Sequence, residues 1–200
     1  MPIISKKCFT NDSIYINGPF IIEPQIFEDQ RGFFFESWNK RNWEEILKIY
    51  NQSSQSFVQD NHSRSSKGTL RGLHYQIIPS AQGKLVRCTK GEIFDVAIDL
   101  RKSSSTFCKY IGVRLNNKNQ EQLWIPKGFA HGFLTLSDYA EVNYKTTDYW
   151  DSKNEKTIIW DEKMFNIDWP LEEINFNIHL SIKDQNGLKF SQLSDKELFL

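Results

Sequence analysis

The chain has 200 residues, of which 39% are hydrophobic and 25% charged, and its 25 Lys+Arg balance 25 Asp+Glu to a formal net charge of zero. Such a length fits one folded domain with a substantial core, taken here as residues 1–200, and the composition is not that of a disordered chain. Zero net charge argues against a broad electrostatic grip on nucleic acid or an acidic membrane, but leaves room for a local basic pocket around one small anion.

Short apolar–polar runs separated by turn residues dominate from Ile14 to Trp160. In chain order, Phe33–Trp38 reads as a strand. Trp43, Ile46, Leu47 and Tyr50 then fall at i, i+3, i+4 and i+7, a helical stripe that Asn39 or Asn42 can cap. Strands are expected near Phe57–Asn61, Thr69–Gln76 and Lys84–Cys88. The clearest is Ile93–Leu100, where Phe94, Val96, Ile98 and Leu100 share one face and Asp95 and Asp99 the other. Ile111, Val113 and Leu115 alternate likewise, and further strands lie near Glu121–Trp124, Gly132–Thr135 and Glu141–Thr146. Many short strands at close spacing predict a sandwich or a closed barrel. After Trp169 the signals are mixed, and Ser181-Ile-Lys-Asp184 reads by itself as a polar surface turn.

No repeat or low-complexity tract appears. No apolar run approaches the roughly 20 residues of a membrane span. Lys6 and Lys7 are not followed by an apolar signal segment. Cys8, Cys88 and Cys108 are odd in number and match no zinc or redox spacing, so reduced thiols in a cytoplasmic protein are expected. The 15 Phe, 7 Tyr and 6 Trp fit a large aromatic core and a dimer interface, with a few left to stack on a flat ligand ring.

Four histidines are present: His62, His74, His131 and His179. On a regular strand, Leu70, Gly72, His74 and Gln76 share one face and Arg71, Leu73 and Tyr75 the other, unless Gly72 introduces a bulge. A histidine on a strand face is, taken alone, more often a structural residue. His131 follows the Pro126–Gly128 turn and is expected at the start of a strand. Its Pro-x-Gly-x-x-His setting resembles the second half of a cupin signature. The first half lacks the His-x-His pair of metal cupins, and one histidine from each half is a poor site for zinc or iron. A cupin-like barrel without metal is therefore expected.

Successive blocks make a more specific resemblance. They are Asp29-Gln-Arg-Gly-Phe-Phe-Phe-Glu36, Phe57-Val-Gln-Asp-Asn-His-Ser-Arg64, Leu70-Arg-Gly-Leu-His-Tyr-Gln76, Gln82-Gly-Lys-Leu-Val-Arg87 and Gly91-Glu-Ile-Phe-Asp-Val-Ala-Ile-Asp99. Leu123-Trp-Ile-Pro-Lys-Gly-Phe-Ala-His-Gly-Phe133, Tyr144-Lys-Thr-Thr-Asp-Tyr149 and Ile167-Asp-Trp-Pro170 follow. In order and spacing this set resembles the dTDP-4-dehydrorhamnose 3,5-epimerases, over residues 14 to 190. The resemblance implies an all-β, cupin-like barrel or jelly roll with a few short peripheral helices. It also implies a dTDP-sugar substrate, no cofactor and no metal, and a homodimer without nucleic-acid or membrane partners.

By this resemblance His74 is the base, Asp184 its carboxylate partner, Tyr144 the proton donor on the opposite face and Lys84 the group near the enolate oxygen. A histidine suits the first role because its ordinary pKa lies near neutrality. Arg71 and His131 match positions near the sugar and diphosphate, and Arg31, Glu36, Gln59, Glu155 and Lys183 match other substrate-binding positions. Arginine suits a diphosphate because its planar fork donates paired hydrogen bonds. After Tyr149 the family commonly continues Tyr-Ser-Pro, whereas this chain reads Trp150-Asp-Ser152. Trp150 can stack on the nucleotide base but lacks the phenol hydroxyl.

The expected activity is inversion of C3 and C5 of dTDP-4-keto-6-deoxyglucose on the way to dTDP-L-rhamnose. Three rivals are an epimerase that inverts only C3 or only C5 or a ketoisomerase of another deoxysugar nucleotide, a silent cupin-like sugar-binding module and a metal-dependent cupin oxygenase. The joint presence of His74, Asp184, Lys84 and Tyr144 disfavours the silent module, and the missing His-x-His pair disfavours the oxygenase.

Overall fold

The Ile93–Leu100 alternation forms a strand whose two faces are both buried, and the rest of the molecule is arranged around that fact. The computed structural model describes residues 4–200. Its elements are β1 (Ile4–Phe9), β2 (Tyr15–Glu23), β3 (Phe27–Asp29), β4 (Gly32–Phe34), α1 (Lys40–Ile49), β5 (Gln59–Ser66), β6 (Leu70–Gln76) and β7 (Lys84–Lys90). Then come β8 (Glu92–Asp99), β9 (Tyr110–Asn116), β10 (Gln122–Ile125), β11 (Phe129–Thr135), β12 (Tyr139–Thr146), β13 (Glu155–Thr157) and the one-turn helix α2 (Ile182–Gln185). A six-stranded sheet runs β1-β2-β10-β7-β12-β5 and a five-stranded sheet β13-β6-β11-β8-β9, while β3 and β4 form a separate hairpin. All these strand pairings are antiparallel.

Three apolar clusters define the layers. Val86, Cys88, Ile93, Ala97, Leu123, Phe133 and Val142 fill the space between the sheets. Leu70, Leu73, Tyr75, Val96, Ile98 and Leu100 lie on the outer face of the five-stranded sheet, under Phe165, Trp169 and Ile174 of the C-terminal segment. Trp43, Ile46 and Leu47 of α1 cover Phe20, Leu85 and Trp124 on the outer face of the six-stranded sheet. The jelly-roll expectation holds. No helix among the described residues is long and apolar enough to cross a membrane.

The helix matches its stripe: Trp43, Ile46 and Leu47 are buried, and Asn39 is the cap, its side chain accepting from the backbone N–H of Arg41 and Asn42. Phe33–Trp38 is not one strand. Only Gly32–Phe34 is extended, paired to Phe27–Asp29 across a tight turn, and Glu36 and Ser37 instead lead into α1. His131 lies inside β11 rather than at its start.

Gly72 does introduce the irregularity that the sequence left open. Arg71 faces Phe133 and His74 faces His131, so three steps along β6 match two along β11. The extra residue turns Arg71 and His74 to the same side, opposite Leu70, Leu73 and Tyr75, which pack under the C-terminal segment. Gly72 has φ +124°, and a Cβ there would lie 2.5 Å from the Gly132 Cα and 2.8 Å from the His131 carbonyl oxygen. Both the backbone angle and the close approach of β11 require glycine. Gly72→Ala should therefore cost about 2–4 kcal/mol through combined strain and overpacking. The expected readout is a lower urea midpoint at unchanged slope; a midpoint within error of wild type would contradict this account of the bulge.

Candidate active site

Strand β6 brings His74 to the inner face, and the C-terminal segment brings a carboxylate to it. His74 Nε2 lies 2.5 Å from Asp184 Oδ1, across 110 residues of sequence. The Ser181 side chain caps α2 by accepting from the Asp184 N–H at 3.1 Å, and its hydroxyl donates to Asp184 Oδ2 at 2.7 Å. Asp184 is 3% exposed. Ser181–Asp184 is thus a capped helical turn that buries its acid, not the solvated turn its local sequence suggests. Burial opposes ionisation of Asp184, but hydrogen bonds from His74, Ser181 and the Gly72 backbone outweigh it and hold the carboxyl below its ordinary value. For His74 burial dominates: it outweighs the Asp184 contact and places the imidazole below the ordinary histidine value of 6.5.

Lys84, on the inner face of β7, is buried and its Nζ donates to the His74 carbonyl oxygen at 3.3 Å. Burial lowers its pKa to about 8, against the pull of Glu155 and Asp95. Tyr144 of β12 packs against the interior cluster. Its phenol is pushed above the ordinary value by burial, an effect that Arg71 opposes and Glu155 reinforces. Those influences place Arg71, Glu155 and Tyr144 within one electrostatic neighbourhood. Arg71 donates from Nε to the Ser65 hydroxyl at 3.0 Å, and Lys183 pairs with Glu155 at 2.6 Å.

His131 Nε2 lies 2.7 Å from Asp95 Oδ1 in the buried interior, so two histidine–carboxylate pairs sit on adjacent strands. Asp95 is fully buried and its Oδ2 has no protein partner. Sequence reasoning noted Asp95 only as part of the polar face of β8. The missed signal is that a strand with one wholly apolar face can turn its acidic face to a site. Gln76 was also missed. Its side chain donates to the Ser80 and Tyr149 carbonyls at 2.5 and 3.1 Å and accepts from the Asp151 N–H at 2.7 Å, fixing the loop that carries Trp150.

The Trp150 N–H donates to Gln59 Oε1 at 3.1 Å, which joins that loop to β5, and the Trp150 residue is 59% exposed. Two expected residues lie elsewhere in the chain. Arg31 pairs with Asp29 in the β3–β4 turn with 89% of its side chain exposed, and Glu36 accepts from Asn39 and Asn42 at the start of α1.

The jelly roll, with a paired histidine, a protonated phenol and a buried lysine lining its interior, defines a cupin-like isomerase. A family model described as dTDP-4-dehydrorhamnose 3,5-epimerase matches residues 13–192, and the chain belongs to that family. It is 55% identical over 172 residues to the dTDP-4-dehydrorhamnose 3,5-epimerase of Shigella flexneri, covering 85% of this chain and 90% of that one. The Pseudomonas aeruginosa enzyme of the same name is 54% identical over 171 residues, with 86% and 90% covered. Among solved structures, a dTDP-6-deoxy-D-glucose-3,5-epimerase from Legionella pneumophila, in complex with dTDP-4-keto-L-rhamnose, superposes with a TM-score of 0.87 at 43% identity, covering 98% of each chain. A 3′-monoepimerase from Streptomyces bikiniensis, in complex with dTDP-quinovose, superposes with a TM-score of 0.79 at 27% identity, covering 87% of this chain and 84% of that one.

The two shifted groups set a pH window. A base at His74 would need a neutral imidazole, and a charge-stabilising group at Lys84 would need its ammonium, the two roles the family resemblance implies. As pH falls through the lowered His74 value the imidazole takes up a proton; as pH rises through about 8, Lys84 gives one up. The expected kcat/KM profile is bell-shaped, with its acid limb below 6.5 and its alkaline limb near 8. An alkaline limb at the value of an ordinary lysine would remove Lys84 from this role.

Proposed function

We propose that this chain inverts C3 and C5 of dTDP-4-keto-6-deoxyglucose through enolate intermediates. The observation that carries the reading is the His74–Asp184 pair at 2.5 Å on the barrel's inner face, with Lys84 against the same strand. Both sugar hydrogens are α to the C4 ketone, so removing either leaves negative charge on the C4 oxygen. His74 takes the proton, and Asp184 fixes its tautomer and stabilises the imidazolium. The Lys84 ammonium stabilises the enolate oxygen. Tyr144, kept protonated by its raised pKa, returns a proton from the opposite face, and the centre inverts. This is proton transfer only; it needs neither a redox cofactor nor a metal. Arg71, His131, Gln59, Glu155 and Lys183 hold the sugar and diphosphate, and Trp150 stacks on the nucleotide base.

Proton NMR of the 4-keto sugar nucleotide in heavy water tests the roles. Wild type should exchange and invert both C3 and C5. Exchange at one carbon only would favour a single-position activity like that named for the Streptomyces bikiniensis relative. His74→Ala should lose both exchange and inversion by about 10²–10⁴-fold or more. Tyr144→Phe should retain more exchange than inversion, because the base can return deuterium to the face it came from. Undiminished exchange in His74→Ala would end the assignment of the base.

The working form is proposed to be a homodimer. The β3–β4 hairpin stands apart from both main sheets and exposes Phe27, Phe33 and Phe34 at 43%, 60% and 68%. Seating it on a second copy buries those rings and carries Arg31 with them. Light scattering should give twice the chain mass for wild type and a single chain mass for Phe33→Asp/Phe34→Asp. A monomer at micromolar wild-type concentration would reject the dimer.

A further inference from the structure

The family model ends at residue 192, yet residues 193–200 are fastened across the outer face of the sheet that bears His74. The Lys102 N–H donates to the Phe199 carbonyl at 2.8 Å, and the Phe199 N–H to the Leu100 carbonyl at 3.2 Å. This anchors the segment at the end of β8. From there the Phe199 ring reaches the Tyr75 ring on β6, 6.2 Å between centroids. Glu197 is held by the Ser194 backbone and side chain at 2.8 and 2.9 Å, and it pairs with Lys156 of β13 at 2.5 Å.

The placement of Lys156 matters. β13 is a three-residue strand at the sheet edge. In its pairing with β6, Glu155 faces Gln76, Lys156 faces Tyr75 and Thr157 faces His74. Alternation sends Glu155 to Lys183 on the site side and Lys156 to Glu197 on the outer side. The side chains of Lys156 and Glu197 are only 26% and 17% exposed, so this pair is less screened than the protein's open surface pairs. The Lys156 hydrogen bond, helped by the Ser194 backbone, holds the Glu197 carboxyl at about 2.

We infer that residues 193–200 form an outer strap whose Glu197–Lys156 latch and Phe199–Tyr75 contact position His74 and Glu155 for the reaction, acting through β6 and β13. The inference rests on the proposed epimerase activity. A displacement of about 1 Å at a reacting group can cost 10²-fold in rate. β13 flanks the strand that carries His74; it is only three residues long, held by β6 on one side and by the Leu188 N–H to Thr157 carbonyl bond at 2.9 Å on the other, so the outer latch adds to a small set of supports. Glu197 and Lys156 touch no reacting atom; they are positioning residues.

Glu197→Gln and Lys156→Met should each lower kcat for the dTDP-4-keto sugar about 10-fold while KM changes less than about 2-fold. The swapped pair Lys156→Glu/Glu197→Lys should recover most of the loss. Arg114→Gln breaks the Arg114–Glu173 pair, which ties another part of the C-terminal segment to β9. It should leave kcat unchanged even where it lowers Tm. Wild-type kcat in both single variants, or an equal loss in Arg114→Gln, would overturn the strap. If wild type itself fails to turn over the sugar, the epimerase reading fails separately. The imidazole proton resonance of His74 then still reports the latch: it should shift in Glu197→Gln and not in Arg114→Gln, and an unmoved resonance overturns it.

Discussion

The site depends on one hydrogen bond between distant parts of the chain, His74 to Asp184. α2 is a four-residue helix, too short to be stable by propensity. It is held by the Ser181 cap and by packing of the C-terminal segment on the outer sheet face. That segment must deliver a carboxylate to the inner-facing imidazole, and Gly72 allows it. With no side chain, Gly72 lets β11 approach, reverses the facing of the residues around it and offers its own backbone to Asp184. Dyad, bulge and tail packing are therefore one constraint viewed from three places in the sequence.

The interior around this bond joins opposite demands. Lys84, Asp95, His131 and Asp184 are all buried, and isolated buried charge is costly. The chain meets the cost by pairing: His74 with Asp184 and His131 with Asp95. Lys84 is the exception. Its Nζ reaches a carbonyl rather than a carboxylate, and its pKa falls accordingly. The Asp95 Oδ2 also lacks a protein partner, as do the buried hydroxyls of Ser63, Tyr75 and Thr135. Perturbed ionisable groups such as His74 and Lys84 gather where proton chemistry is done.

Much of the fold was legible because period-2 and period-3.6 patterns report which residues share a face. Ile93–Leu100, the α1 stripe and the Asn39 cap could all be read that way. The pattern does not say which face meets the core. On β8 the apolar set Phe94, Val96, Ile98 and Leu100 packs outward under the tail, and Asp95 points inward. Phe33–Trp38 misled because consecutive aromatics look like a buried strand, whereas Phe33 and Phe34 sit on an exposed hairpin. Within the site, His74 and Lys84 were locally plausible. Asp184 was not, because nothing in Ser181–Asp184 reveals that a distant strand needs its carboxylate. Only the family resemblance singled it out.

The separation of 110 positions from His74 to Asp184 also orders events in time. During synthesis β6 leaves the ribosome well before the segment that completes its dyad. At roughly 5–20 residues per second, the imidazole waits on the order of 5–20 s for its carboxylate. The sheets can pair in that interval, but the base has no partner to fix its tautomer. A nascent chain that stops before Ser181 can thus hold His74 without Asp184, so that the pair the proposed proton transfer needs is complete only once residues 181–184 have been made.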